Sequence, residues 1–314
     1  MKVVLQHRAS PGFQRQLEQH APSWLDFVIV DEADTTTFTA EMEDTQVLLH
    51  VLQPVTAGVI AAAPQLRLIH KIGVGVNTID LDAAQQRGIA VANMPGTNTP
   101  AVAELTLLLM FATLRRLAFW DTTTRQKKGW EAELRVFDTL GELNGRVVGL
   151  VGYNAVATHL ARILQACGVS VVYTARHAKP QAVGTPCSFD ELLQMSDIVS
   201  LHVPLTPETK GLMNVTALAR MKPGSIFINT ARGGLVDESA LIAALQSDHL
   251  RAACLDVFAD EPIPTDSPLL TLDNVVVTPH IAWRTPETLR RSCVIAMENC
   301  RRLRAGEPLL DRVA

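Results

Sequence analysis

The sequence predicts an α/β protein built on doubly wound parallel sheets, and three observations carry that prediction. Short apolar, β-rich runs at residues 2–6, 27–30, 47–51, 66–69 and 89–92 are interleaved with helical stretches such as 80–87. Strands separated by helices pair in parallel as βαβ units. A dense turn cluster, Asn93-Met94-Pro95-Gly96-Thr97-Asn98-Thr99-Pro100, then opens into a long apolar helix over about 101–120. After Leu143-Asn144-Gly145 the alternation restarts, with strands expected at 147–151, 169–174, 198–202, 225–229, 252–257 and 275–278 and a helix at 155–166. This second run reads as a complete doubly wound sheet. The helix over 101–120 is apolar nearly all round through Met110. It therefore belongs either in a core or against a second subunit.

Bulk properties narrow the function classes. The 314 residues suffice for one large or two moderate domains, and 47 % hydrophobic with 19 % charged residues is an ordinary globular mix. A formal net charge of -4 argues against nucleic acid as the main partner. The five cysteines, Cys167, Cys187, Cys254, Cys293 and Cys300, form no CxxC pair. Their number is odd, which points to a reducing cytoplasm rather than a disulfide framework or a zinc site. No HxxxH or HExxH spacing occurs, so no metal is expected. The longest apolar stretch, from Leu105 to Leu114, falls short of the roughly 18 residues a membrane span needs. The N-terminus reaches His7 and Arg8 after one short apolar run and does not read as a signal peptide.

The strand at 147–151 runs into Gly152-Tyr153-Asn154-Ala155-Val156-Ala157 and a helix, where a GxGxxG dinucleotide fingerprint would stand. Gly152 supplies the tight turn, and the helix N-terminus would present amides and a positive dipole end to a pyrophosphate. Ala157 is an accepted small residue at the third position. Asn154 departs at the second, with a side chain expected to point toward the pyrophosphate and a left-handed backbone costing about 1–2 kcal/mol relative to glycine. By itself the segment serves equally as an ordinary strand–turn–helix. The next strand ends Tyr173-Thr174-Ala175-Arg176-His177, with Lys179 behind it, and no Asp or Glu lies between Glu142 and Asp190. An NAD site wants an acid there for the ribose 2′-OH. A cationic end suits a 2′-phosphate, or is simply a solvated basic loop.

Three side chains at strand ends can carry chemistry. Arg232 in Asn229-Thr230-Ala231-Arg232-Gly233-Gly234 can clamp a carboxylate and polarise its carbonyl, though such an arginine also serves as a surface residue. His280 in Thr278-Pro279-His280 can exchange the hydroxyl proton, or be structural. Glu261 in Ala259-Asp260-Glu261-Pro262 is either an exposed loop acid or a partner for an imidazole, and spacing alone does not pair it. Lys71-Ile72-Gly73-Val74-Gly75-Val76-Asn77 is a glycine turn that can form an anion nest.

Together these segments resemble the D-isomer-specific 2-hydroxyacid dehydrogenases. The resemblance runs from Ile72-Gly73-Val74-Gly75 and Asn93-Met94-Pro95-Gly96 through Ser196-Asp197-Ile198-Val199-Ser200-Leu201-His202-Val203-Pro204. It continues in Met221-Lys222-Pro223-Gly224, Asn229-Thr230-Ala231-Arg232-Gly233-Gly234-Leu235-Val236-Asp237, Leu255-Asp256-Val257-Phe258 and Thr278-Pro279-His280-Ile281. It implies two doubly wound parallel-sheet domains, Rossmann-like and flavodoxin-like, with an active-site cleft between them. Residues 1–97 plus 286–314 would form the substrate domain and 98–285 the dinucleotide domain of a homodimer. Arg232 would bind substrate, His280 would be the acid/base and Glu261 its partner. The cofactor would lie on Gly152, Asn154, Ala155, Val156, Arg176, His177, His202, Val203, Pro204, Thr209, Thr230 and Ala231, with Asp256 near the nicotinamide. The Val74 and Gly75 backbone would hold the substrate carboxylate.

Trp283 is similar to the glycerate dehydrogenase and hydroxypyruvate reductase branch, and the Tyr173-Thr174-Ala175-Arg176 ending to NADPH-linked glyoxylate/hydroxypyruvate reductases. Arg284 is an extra cation for a second anionic group. The expectation is an NADPH-dependent reductase of glyoxylate or hydroxypyruvate. No regulatory domain is expected after the tail helix, which disfavours a long allosteric phosphoglycerate dehydrogenase. The alternatives are a nucleotide-sensing co-regulator and a pseudoenzyme whose cofactor site is impaired by Asn154. Asn154→Gly is expected to tighten NADPH binding.

Overall fold

The computed structural model describes residues 1–177 and 179–314. The chain divides into two compact units, Met1–Asn98 with Trp283–Ala314, and Thr99–Ala282. The second boundary falls at 282/283, so Trp283 and Arg284, expected in the dinucleotide domain, belong to the first unit.

The first unit alternates β1 (Lys2–Gln6), α1 (Pro11–His20), β2 (Asp26–Val30), α2 (Thr35–Met42), β3 (Val47–His50), α3 (Ala57–Ala61), β4 (Leu68–Lys71), α4 (Leu81–Gln86) and β5 (Ala90–Ala92). Its five strands are all parallel, in the order β2-β1-β3-β4-β5. Every residue of β3 and β4 is buried, as in a parallel sheet covered on both faces. Ser10, Asp34, Thr56 and Asp80 cap the four helices, each side chain accepting from the third helical amide.

The second unit opens with α5 (Thr99–Leu114) and α6 (Leu117–Arg125). The single helix expected over 101–120 is therefore two. Arg116 takes a left-handed backbone, φ 47°, and the Leu114 carbonyl accepts from the Gly141 amide instead of continuing the helix. Arg115 and Arg116 interrupt the apolar run there, but charged residues also sit on the exposed face of a continuous helix, so composition alone did not mark a break. There follow β6 (Val147–Val151), α7 (Ala155–Ala166), β7 (Ser170–Thr174), β8 (Thr185–Pro186), α8 (Phe189–Met195), β9 (Ile198–Leu201), α9 (Val215–Arg220), β10 (Ser225–Asn229), α10 (Glu238–Gln246), β11 (Leu250–Leu255) and β12 (Val275–Val277). The sheet order is β12-β11-β10-β9-β6-β7-β8, all parallel. Only the two-residue β8 had no counterpart in the sequence pattern, being too short to show a period.

The chain then returns to the first unit as α11 (Pro286–Ala305), which packs on α1. Buried Asn299 bonds the Leu310 backbone both ways and the His70 ring, which seats the C-terminal segment on β5. No helix among the described residues is long and apolar enough to cross a membrane.

Three buried histidines make the fold acid-sensitive. Burial pushes His50 down to about 3, with Lys71 adding to the shift, and pushes His70 and His202 each to about 4. Unfolded, these rings take up protons near 6.5, so between pH 6.5 and 4 the unfolded state binds more protons. Stability is therefore complete above 6.5 and falls with pH, by about 2 kcal/mol per histidine at pH 5. His50 and His70 lie in the first unit and His202 in the second, and each contribution is sizeable against the roughly 5–15 kcal/mol typical of a domain. Thermal melts are expected to drop steeply from pH 7 to pH 5. A flat profile would show that these rings are not held neutral.

Candidate active site

In open parallel sheets the functional groups gather beyond the carboxyl ends of the strands. Three adjacent strands, β12-β11-β10, bring His280, the Asp256–Glu261 segment and Arg232 to the same end of the second unit. Asn229 shapes the Arg232 turn. Its Oδ1 accepts from the Ala231 amide (3.0 Å), and its Nδ2 donates to the Arg232 carbonyl (2.9 Å). The next residue has to be glycine, because a Cβ on Gly233 would lie 1.8 Å from the Phe258 carbonyl oxygen. The Arg232 turn thus packs backbone to backbone on the loop that carries Glu261. Burial lowers the Arg232 pKa and the Glu261 charge opposes that shift, while a guanidinium keeps its charge.

His280 Nδ1 lies 2.6 Å from Glu261 Oε2, and Glu261 Oε1 accepts from the Phe258 amide (3.0 Å). A carboxylate can only accept, so it places the ring proton on Nδ1 and leaves Nε2 for proton exchange. Nε2 has no other partner among the described residues. Burial pushes the Glu261 carboxyl up. The bond to and charge of His280, the Phe258 amide and Arg232 outweigh it, and the net shift is downward, which keeps the carboxyl ionised.

The His280 backbone is left-handed, φ 52°, a conformation costly for a side chain of this size. Asp256 holds it there. The Asp256 carbonyl accepts from the His280 amide (2.8 Å). Its carboxylate takes the Thr278 hydroxyl (2.6 Å) and the Ile281 and Ala282 amides (both 2.9 Å). Asp256, which the resemblance puts near the nicotinamide, has a structural role as well. Its side chain is fully buried with both oxygens committed to its own loop, so it is a positioning residue for His280. Burial raises its pKa against the pull of those bonds.

At the β6–α7 turn, Gly152 has φ 90°, and a Cβ there would meet the His202 carbonyl oxygen at 2.8 Å. Asn154 differs from expectation. Its backbone is extended, φ -89°, not left-handed, and its side chain caps α7 rather than projecting freely. Oδ1 accepts from the Ala157 amide (3.0 Å), and Nδ2 donates to the His202 carbonyl (3.0 Å). The Ala155 and Val156 amides lie ahead of the first helical bond, from Thr158 N–H to Asn154 O. The turn thus still offers two amides and a helix N-terminus to a pyrophosphate, and it fits a dinucleotide.

The other expected cofactor residues sit at the neighbouring strand ends with their polar atoms largely occupied. His202 is buried and neutral, its Nε2 3.0 Å from Ser200 Oγ, so it brings shape rather than charge. Thr209 Oγ1 bonds the Pro204 carbonyl (2.7 Å) and the Thr206 amide (2.8 Å), and Val203 closes over Gly152. The Thr230 hydroxyl is 2.9 Å from that of Thr106.

Arg176 and His177 are exposed beyond β7. Two features here were not legible in the sequence. Glu208 stands close enough to Arg176 to feel its charge, although its own bond to Thr206 is the larger cause of its lowered pKa. Tyr153 OH donates to the Val183 carbonyl (3.1 Å) and accepts from the Val183 amide (2.9 Å), tying Val183 to the β6–α7 turn. Among the described residues no cluster of three or more His, Cys, Asp or Glu side chains can hold a metal.

Within the first unit, Gly73 has φ 131°. Its carbonyl accepts from the Met94 amide (2.8 Å) and that of Val74 from Asn93 Nδ2 (2.9 Å). The Val74 and Gly75 amides make no hydrogen bond among the described residues, as an anion nest requires. Trp283 is buried against the His7 ring, and the Arg284 guanidinium lies 5.9 Å from the centre of the Trp283 ring.

Comparison with known proteins places this geometry. Residues 107–282 match the family model described as D-isomer specific 2-hydroxyacid dehydrogenase, NAD binding domain. The chain is 42 % identical over 289 residues to a D-3-phosphoglycerate dehydrogenase of Mycobacterium leprae, covering 90 % of this chain and 54 % of that one. It thus spans about half the length of such curated relatives. It is 38 % identical over 272 residues to a glyoxylate reductase of Korarchaeum cryptofilum, covering 85 % of this chain and 82 % of the relative. A crystal structure of a Thermus thermophilus protein superposes with a TM-score of 0.88 at 36 % identity, covering 100 % of both chains.

Proposed function

The chain belongs to the D-isomer-specific 2-hydroxyacid dehydrogenases, and from that premise we propose that it transfers a hydride between NADPH and a small 2-oxo acid, glyoxylate or hydroxypyruvate first among them, to give the D-2-hydroxy acid. The observation that carries the reading is the 2.6 Å His280–Glu261 pair beside Arg232. Arg232 clamps the substrate carboxylate and polarises the adjacent carbonyl. His280 Nε2 delivers a proton to the carbonyl oxygen and recovers it in the reverse direction, a contribution of about 10²–10⁴ in rate. In the first unit, the Val74 and Gly75 amides are the candidate anion nest for a carboxylate. When bound, the reduced nicotinamide supplies the hydride to the carbonyl carbon. The Ala155 and Val156 amides would hold the pyrophosphate, and Arg176 the 2′-phosphate. The likeness to a glyoxylate reductase supports the substrate class. Exposed Leu108, Phe111 and Leu117 suit a homodimer, and five unpaired cysteines suit a reducing cytoplasm.

NADPH oxidation followed with glyoxylate, hydroxypyruvate, pyruvate and phenylpyruvate, and repeated with NADH, tests this. Turnover with NADPH and little with NADH is expected. Arg176→Ser is expected to lower kcat/KM for NADPH about 10–100-fold, the worth of one charge-assisted bond, and to leave NADH unchanged. Equal use of both cofactors would sink the NADPH reading. No turnover with either would favour the pseudoenzyme, with the Asn154 cap withholding the Ala157 amide from phosphate.

A further inference from the structure

We propose that Glu238 is a positioning residue for the His280–Glu261 pair. From the first turn of α10 it grips the loop that carries Glu261, and so keeps the His280 ring with its proton on Nδ1. This rests on the reductase reading above and adds to it a residue that acts through another side chain.

The loop after β11 has little backbone bonding of its own. Among the described residues, only two backbone amides from Val257 to Ile263 donate a hydrogen bond, and each gives it to a glutamate carboxylate. The Phe258 amide bonds Glu261 Oε1 (3.0 Å), three residues on in the same loop. That bond curls the turn and ties it to nothing outside. The Ala259 amide bonds Glu238 Oε2 (3.1 Å), on a different element and 21 residues away. Apolar packing holds the ends of the stretch, with Phe258 buried and Ile263 packed against the same core. Ala259, Asp260 and Glu261 between them are exposed. Apart from the His280 bond itself, the Glu238 bond is the side-chain tie that fixes this exposed stretch to a neighbouring element.

Glu238 is itself well placed to hold. Asp237 caps α10 through the Ala240 amide, which makes Glu238 the first helical residue. The helix dipole favours an acid there. Its carboxylate forms no ion pair among the described residues, and the Ala259 amide is its polar partner. The consequence falls on His280, whose Nδ1 lies 2.6 Å from Glu261 Oε2. That carboxylate keeps the ring proton on Nδ1 only while the turn stays in register. Released from Glu238, the turn swings about Phe258 and the ring loses its acceptor. The neutral imidazole then returns to the form it prefers in water, with the proton mainly on Nε2. In that form Nε2 cannot accept the hydroxyl proton.

Three variants separate a hydrogen bond from a charge. Glu238→Gln keeps an acceptor of the same reach and loses the charge. Glu238→Asp keeps a charge at the helix end and falls short of Ala259. Glu238→Ala loses both. In protein labelled with 15N-histidine, the ring nitrogen shifts of His280, assigned with His280→Asn, report which nitrogen carries the proton where the ring is neutral. Wild type and Glu238→Gln are expected to hold the Nδ1–H form, and Glu238→Ala and Glu238→Asp to move largely to Nε2–H. In steady-state kinetics, Ala and Asp should lower kcat about tenfold, with KM for acid and cofactor held within about twofold, and Gln should restore kcat. The Nε2–H form in wild type, the Nδ1–H form kept in Glu238→Ala, or a loss in Glu238→Gln as large as in Glu238→Asp would overturn the proposal. If Glu238→Ala does not fold, the Gln and Asp pair decides by the same readouts. If the wild type reduces no 2-oxo acid with either cofactor, the reductase reading fails and the ring shifts alone judge Glu238. Loss of the Nδ1–H form in the Asp variant and its retention in the Gln variant then support the positioning role, and any other pattern overturns it.

Discussion

Replacing His280 by asparagine is expected to lower kcat/KM by two to four orders of magnitude while leaving the affinity for the dinucleotide cofactor within about threefold. Asparagine is the informative choice because position 280 is left-handed, φ 52°, and asparagine tolerates that backbone better than most residues. The loss then reports the missing imidazole rather than a collapsed loop. Glu261→Gln should cost less, since an amide can still bond Nδ1 but no longer stabilises an imidazolium. The sign with pH follows from the lowered Glu261 pKa. The contribution of its ion pair to stability is present above the ordinary value of 4.5 and is lost as pH falls through the lower folded value. Steady-state kinetics with parallel titrations of NADPH and NADH decide the matter. An asparagine variant retaining a tenth of wild-type activity would remove His280 from the acid/base role.

Gly233→Ala is expected to abolish most activity, by at least about 100-fold, and to destabilise the second unit by about 1–3 kcal/mol or more, the cost of overpacking a close contact. The added methyl would fall 1.8 Å from the Phe258 oxygen, 1.9 Å from its carbonyl carbon and 2.6 Å from the Ala259 nitrogen. All three are backbone atoms, so no side-chain rotation relieves the clash. Either the Arg232 turn or the loop leading to Glu261 has to move, and both carry candidate catalytic residues. Gly234→Ala is the control. Its methyl would meet only the end of the Leu205 side chain, at 3.0–3.3 Å, and should cost little. Thermal melting and kcat measured on the pair separate the two cases. Equal behaviour of the two variants would show that the backbone contact at Gly233 does not govern the site.

Much of this molecule was legible in the sequence because parallel strands buried on both faces are written as uninterrupted apolar runs. Val3, Val4 and Leu5, or the whole of 225–229, are strand by burial as well as by pattern. Glycine and cap residues are local too. Gly152 announces a turn that no Cβ can enter, and Ser10, Asp80 and Asp237 announce helix starts. Arg232 and His280 stood out because each is a polar group just beyond an apolar strand.

What only the tertiary structure decided are the pairings, because they follow from strand order and not from spacing. Glu261 meets His280 because β11 and β12 are neighbours, and nothing in a separation of nineteen residues requires it. Asp256 proved to be the anchor of the His280 loop, since both its oxygens are taken by amides and a hydroxyl that only the folded loop presents. Asn154 closes a helix end, because its side chain finds the Ala157 amide and the His202 carbonyl. The break at Arg116 goes with the bond from the Gly141 amide to the Leu114 carbonyl, and Glu208 reaches Arg176 across 32 residues, and neither is visible in local composition. A residue's period records how far it is buried. The partner it is buried against is set by how strands far apart in the chain are ordered in the sheet.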